Sequence, residues 1–210
     1  TVTQKEYGAQ LTSKYYSNGD RIPLNNATAS CSHYFNLVIL GDGFTKKDLI
    51  EGGKFEQRAR SAMDSFFGIE PYRSFKDRFN VLAVTFESNE SGTDITDANT
   101  YRDTYFDSHG QNGSTGLSAS RDKVIGVVKN TLGFSPDDSY YRTIVILLVN
   151  TDLNSGSTVY AEPDRISKPD FVNGYASFAF ACVAANSSGT NGLIKHEAGG
   201  HAFGRLADEY

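Results

Sequence analysis

Two of the four histidines in this 210-residue chain stand together near its C-terminal end, in Lys195-His196-Glu197-Ala198-Gly199-Gly200-His201-Ala202-Phe203-Gly204-Arg205-Leu206-Ala207-Asp208-Glu209-Tyr210. Imidazoles and carboxylates so concentrated are a ligand inventory for a first-row metal, zinc above all, and the chemistry they fit is hydrolysis by water that the ion acidifies. On a regular helix residues four apart share a face, whereas residues five apart, such as His196 and His201, are rotated by about 140°. Paired glycines let a helix bulge to an i→i+5 bond at little steric cost, so a π-bulge at Gly199 and Gly200 is expected to bring the two rings back together. Glu197 follows the first histidine directly and would face the water instead of the ion, the place of a general base. Two histidines leave a tetrahedral zinc short of one protein ligand. A break at Gly204 would return Asp208 or Glu209 to the ion; in an unbroken helix Asp208 would lie about 10 Å along the axis from His201. The expected site is therefore His196, His201 and Asp208 as metal ligands with Glu197 as the catalytic base. Glu209, or a residue beyond the chain end, is the alternative third ligand. The plain alternative to the whole reading is a capped amphipathic helix with two surface histidines and an acidic end.

At these residues a resemblance enters. The run Gly199-Gly200-His201-x-Phe203-Gly204-x-Leu206-x-Asp208-Glu209-Tyr210 resembles the active-site motif of the IgA-peptidase family of secreted bacterial metallopeptidases. Asn36 to Thr45, Phe66 to Tyr72, Arg78 to Val81 and Ser88-x-x-Ser91-Gly92 resemble the same family in the same order. The resemblance implies a zinc peptidase with a metzincin-like catalytic domain, His196 and His201 as ligands, Glu197 as base, and a secreted or cell-surface location. Many members carry His-Glu-x-x-His, so the extra residue here is a departure; it resembles the longer spacing of dipeptidyl peptidase III. The single methionine, Met63, lies upstream of the motif, so the methionine turn of metzincins has no counterpart in this chain.

The elements that must position this motif can be read from the rest of the chain. Its length suits one domain, and its composition is that of a globular chain. A net charge of -5 gives no reason to expect nucleic acid or an anionic membrane as partner, and no apolar run reaches membrane-spanning length. The chain opens at Thr1 without a signal peptide, as a mature or trimmed form would. Residues 1–34 are polar and read as a lead-in arm in which His33 has no metal-like company. Residues 35–210 read as the catalytic domain, expected to lack its C-terminal side because the chain stops directly after the motif. Cys31 and Cys182 make either one bridge or two buried thiols.

Phe35 to Leu40, Arg78 to Phe86 and Thr143 to Val149 are apolar runs of buried-strand type. Gly41-Asp42-Gly43 is a structural turn. Thr45, with Asp48 three residues on and Phe44 and Leu49 as a staple, predicts a helix from Lys46 to Phe67, bent at Gly52-Gly53. Ser118 to Leu132 predicts a second helix stopped at Gly133. Glu87 to Gly116 is a long polar loop containing a surface His109 and fit to wall a cleft. Ser157 to Ala161 has the marks of an edge strand and Ala176 to Ala184 those of a further strand, with Thr190 or Asn191 capping the motif helix. Strand-helix alternation predicts an α/β fold: a mixed, largely parallel twisted sheet with an antiparallel edge strand and flanking helices. The resemblance implies that this sheet is the upper subdomain of a metzincin-like zinc peptidase, with its active-site helix near the C-terminus. By resemblance the edge strand lines the substrate cleft, with Tyr160 and Tyr175 near it.

Two function classes follow. The first is a zinc endopeptidase acting on protein or peptide; a hydrolase of non-peptide amides is its weaker relative. The second is a catalytically silent extracellular binding module, for glycoprotein or polysaccharide, that keeps a structural metal site. The family name points to immunoglobulin hinge cleavage, but no residue in the chain encodes that preference. Sequons at Asn26-Ala27-Thr28 and Asn112-Gly113-Ser114 take their meaning from the host.

Overall fold

The computed structural model of the chain describes residues 14–25, 35–128, 143–161 and 178–208. Residues 21–25 lie in the segment read as a lead-in arm, yet Arg21–Pro23 forms a strand, β1, and Ile22 and Leu24 are buried. β2 (Phe35–Asp42) follows. The Thr45 capping box forms as expected, with the Asp48 carboxylate accepting from the Thr45 N–H and hydroxyl, both at 2.9 Å. It starts only a single 3-10 turn, Lys46–Asp48, however, and the helix α1 is Lys54–Phe66. The glycine pair breaks the predicted helix instead of bending it. Gly52 takes a φ of 69°, a left-handed value that reverses the chain, and Gly53 becomes the N-cap of α1.

β3 (Phe79–Val84) comes next, and the polar stretch after it is ordered around a three-stranded sheet of β4 (Asp94–Ile95), β5 (His109–Gly110) and β6 (Leu117–Ser118). The Asp42 turn is structural in a way its sequence did not disclose. Its fully buried carboxylate accepts from the Phe106 and Ser108 N–H groups at 2.8 and 3.0 Å, tying the loop to the end of β2. The second predicted helix starts three residues late. Ser118 is committed to the ladder opposite His109, so α2 is Arg121–Gly126; Leu132 and Gly133 lie outside the described residues.

β7 (Thr143–Val149), β8 (Gly156–Ala161) and β9 (Phe178–Ala184) complete the main sheet, whose order is β1-β3-β2-β7-β9-β8. β3, β2, β7 and β9 are mutually parallel, whereas β1 and β8 are antiparallel edges. The fold is thus the expected mixed, largely parallel α/β sheet with an antiparallel edge strand. Successive strand residues alternate between two covered faces, which explains the unbroken apolar runs. Leu37, Ile39, Ile144, Ile146 and Val183 pack under α1 and the motif helix; Val38, Leu40, Val145, Leu147 and Cys182 pack against α2 and the ordered loop. Each such Val, Leu or Ile side chain contributes about 1.5–3 kcal/mol by leaving water. Among the described residues no helix is long and apolar enough to cross a membrane.

Candidate metal centre

The motif helix begins as α3 (Thr190–Leu193) behind Gly189, which holds the N-cap position expected of Thr190 or Asn191; the Thr190 hydroxyl instead reaches back to the Ala184 and Ser187 carbonyls, both at 2.7 Å. From Ile194 to Phe203 the helix is a π-helix. The expected bulge is therefore ten residues long, not a local defect at the two glycines. Bonding of i→i+5 type makes neighbours of residues five apart, and His196 and His201 meet with their Nε2 atoms 3.1 Å apart.

A π-helix is an unfavourable form that tertiary contacts must hold. Ile194, Ala198 and Ala202 are buried against the sheet. Phe203 at its end packs edge-on against Phe35, Phe66 and Tyr72 at centroid distances of 5.0, 6.4 and 5.2 Å. The Gly199 carbonyl accepts from the Tyr72 hydroxyl and from the Gly204 N–H, at 2.5 and 3.0 Å. Burial pushes the Tyr72 phenol up, so it stays a donor.

After Phe203 the chain turns back, as Asp208 requires, but Gly204 is not the left-handed residue. Its φ is -71°, and Arg205 takes the positive value of 54°. Gly204 is needed for space: a Cβ there would stand 2.8 Å from the Gly200 carbonyl oxygen and 3.0 Å from that of Gly199. The Leu206 N–H then bonds the Gly200 carbonyl at 3.1 Å, and the Leu206 carbonyl accepts from Nδ1 of His201 at 2.6 Å. Asp208 Oδ1 arrives 3.1 Å from Nε2 of His201 and 3.5 Å from Nε2 of His196.

Donors bound about 2.0–2.1 Å from a tetrahedral zinc stand about 3.3 Å from one another. The triangle of His196, His201 and Asp208, with sides of 3.1, 3.5 and 3.1 Å, has that size, so these residues fit the ion. The tautomer fits as well, since a ring that gives its Nδ1 proton to a carbonyl presents a lone pair at Nε2. A cation at the centre of the triangle would take up that lone pair together with the facing His196 Nε2 and the Asp208 carboxylate.

Glu197 stands next to this triangle without joining it. Its Oε1 lies 4.0 Å from His196 Nε2, the residue is 7% exposed, and its Oε2 accepts from the Thr158 hydroxyl at 2.9 Å. Of β8, Gly156, Thr158 and Tyr160 face the motif helix, and the Tyr160 hydroxyl donates to the His201 carbonyl at 3.1 Å. Together these residues line a cleft of about 700 Å³. Arg205 sits at its rim, 5.0 Å over the Tyr160 ring.

All four expected site residues thus come together in one cleft. Glu209, Tyr175, Cys31 and His33 lie outside the described residues. Cys182 is buried on β9, its thiol pushed up by burial and by the Asp42 and Glu197 carboxylates. His109 is exposed and apart from the cluster. Sequence reading missed Tyr72 and Thr158 as partners of the helix. Neither stands in a spacing relation to the motif, although Tyr72 lies in a segment that carries the family resemblance.

A family model described as IgA Peptidase M64 matches residues 22–210. No curated protein matches the chain.

Proposed function

The chain belongs to the IgA peptidase M64 family, and from that membership we propose that it is a zinc-dependent endopeptidase in which Glu197 is the general base. The observation that carries the reading is the convergence of His196, His201 and Asp208 on one point beside the Glu197 carboxylate. Zinc, when bound there, supplies a Lewis acid that polarises the scissile carbonyl and lowers the pKa of the attacking water.

The chain's own residues do the rest. His196, His201 and Asp208 would hold the ion, and the Leu206 carbonyl fixes the His201 ring for the task. Glu197 takes the proton of the attacking water and hands it to the leaving amine. Its burial under β8 keeps bulk solvent from competing for it. Among the described residues β8 is the outermost strand beside the cleft; its Gly156 N–H already bonds the Thr115 carbonyl at 2.9 Å, and an extended peptide added beyond that point would bond the backbone of Thr158 and Tyr160. The partner is accordingly a protein or peptide in extended form, and the enzyme works in a secreted or cell-surface setting. The net charge of -5 offers no attraction to nucleic acid.

The test is digestion of a peptide library by the wild type and by Glu197→Ala. The wild type is expected to cleave internal bonds and to stop when the ion is chelated. Removing a general base costs about 100- to 10,000-fold in rate. Hydrolysis undiminished in Glu197→Ala would overturn Glu197 as the general base, and a wild type that binds peptide but cleaves none would overturn the enzymatic reading in favour of a binding module.

A further inference from the structure

Glu197 is nearly enclosed, its side chain only 10% exposed, so bulk water cannot set the direction of its carboxylate. Among the described residues the group that bonds it is the Thr158 hydroxyl, 2.9 Å from Oε2. The same hydroxyl is 2.9 Å from the Glu197 carbonyl oxygen. One proton serves one acceptor at a time, and the carboxylate is the stronger of the two. Two residues earlier on the same strand, Gly156 leaves the space that Glu197 fills: a Cβ there would stand 3.0 Å from Cγ and 3.4 Å from Oε1 of Glu197. β8 therefore grips the glutamate by a hydroxyl on one side and an absent side chain on the other, while Tyr160 fastens the His201 carbonyl one strand repeat further on.

We infer that Thr158 is a positioning residue for the reaction, holding the Glu197 carboxylate in the orientation from which it takes the proton of the attacking water; the inference rests on the reading of Glu197 as general base. A glutamate has three side-chain torsions, and an unanchored one spreads over several rotamers of which few face the water. Misplacing a reacting group by about 1 Å costs on the order of a hundredfold, so the expected cost of losing the anchor is about tenfold to a hundredfold in kcat. A peptide added along β8 would bond the backbone N–H and C=O groups of the strand, and an ion would be held by the histidines and Asp208, so neither uses this hydroxyl.

Thr158→Val keeps the β-branched shape of the strand residue and removes only the hydroxyl; Thr158→Ser keeps the hydroxyl. The inference predicts that Thr158→Val lowers kcat by about tenfold to a hundredfold, with KM and bound zinc unchanged, and that Thr158→Ser restores kcat to within about threefold of wild type. In a Glu197→Ala background, where nothing remains to be positioned, Thr158→Val is expected to leave the Kd for a substrate peptide unchanged. A Thr158→Val enzyme with full kcat, a Thr158→Ser enzyme no better than the valine variant, or a changed peptide Kd in the Glu197→Ala background would overturn it. If Glu197→Ala abolishes hydrolysis while Thr158→Val does not lower kcat, the positioning role alone fails. If Glu197→Ala itself hydrolyses normally, the base assignment fails and takes the positioning role with it.

Discussion

His201 gives its Nδ1 proton to the carbonyl of Leu206, 2.6 Å away and five residues downstream. This bond joins the helix that carries the two imidazoles to the returning segment that carries the carboxylate, so ring orientation and ligand delivery are one structural event. It also decides which nitrogen faces Asp208, since a carbonyl can only accept. The left-handed Arg205 and the close approach of Gly204 to the Gly200 carbonyl exist in the service of that turn.

Gly204→Ala should therefore damage metal binding without touching a ligand. The added methyl would meet two backbone oxygens that have no freedom to yield, at 2.8 and 3.0 Å, and the segment carrying Leu206 and Asp208 must move away. Outer supports of a metal site are worth about 10- to 100-fold in affinity, and a comparable loss is expected in a competitive zinc titration. Overpacking of this kind adds a destabilisation of about 1–3 kcal/mol in thermal unfolding. Unaltered zinc affinity would show that the turn is dispensable.

Asp42 should govern the order of the long polar loop. Its carboxylate accepts from two N–H groups of that loop, and weakly, at 3.4 Å, from the Ser88 hydroxyl. Asparagine would turn an amide N–H₂ towards a backbone donor and leave one buried N–H without an acceptor. Asp42→Asn is expected to cost about 2–3 kcal/mol in denaturant unfolding. Hydrogen exchange should speed up first at Phe106 and Ser108, and protection there equal to wild type would contradict the assignment.

Glu56 predicts an acid-sensitive contribution to stability. Burial raises its pKa, but the Gly52 N–H, the Arg60 guanidinium and the Tyr16 hydroxyl together outweigh burial and hold the carboxyl below its usual value. Tyr16 remains a donor throughout, its phenol pushed up to about 12 by burial and by the Glu56 charge. A carboxyl whose pKa falls on folding stabilises the native state fully above its unfolded pKa, near about 4.3, and loses that contribution as pH drops through the folded value. Glu56→Gln should accordingly cost about 1–2 kcal/mol at pH 7, and the gap should shrink steadily below about pH 4. Urea unfolding of both proteins across that range measures it; a gap independent of pH would rule out the charge as its origin.

What could be read in advance follows from where each signal resides. β2 and β7 were legible because both their faces are buried, which writes itself as Leu37-Val38-Ile39-Leu40 and Ile144 to Val149. The meeting of His196 and His201 was legible because spacing and helix geometry allow one answer, an i→i+5 helix. The extent of that helix was not, since it is set by packing of Ile194, Ala198 and Phe203 against distant elements. The cap at Thr45 and the helical spacing of the apolar residues from Phe55 to Phe67 point to one helix from Lys46, and the left-handed Gly52 overrides that local signal. Tyr72 is 127 residues from Gly199 and Thr158 is 39 from Glu197, so their hydroxyls belong to the site only through the sheet that brings them there.

The most direct test is the zinc content of purified protein, measured by mass spectrometry after dialysis, for the wild type and for four alanine variants. One equivalent per chain is expected in the wild type and in Glu197→Ala, and its loss in His196→Ala, His201→Ala and Asp208→Ala. A wild type that takes up no zinc, or histidine and aspartate variants that keep a full equivalent, would contradict the account.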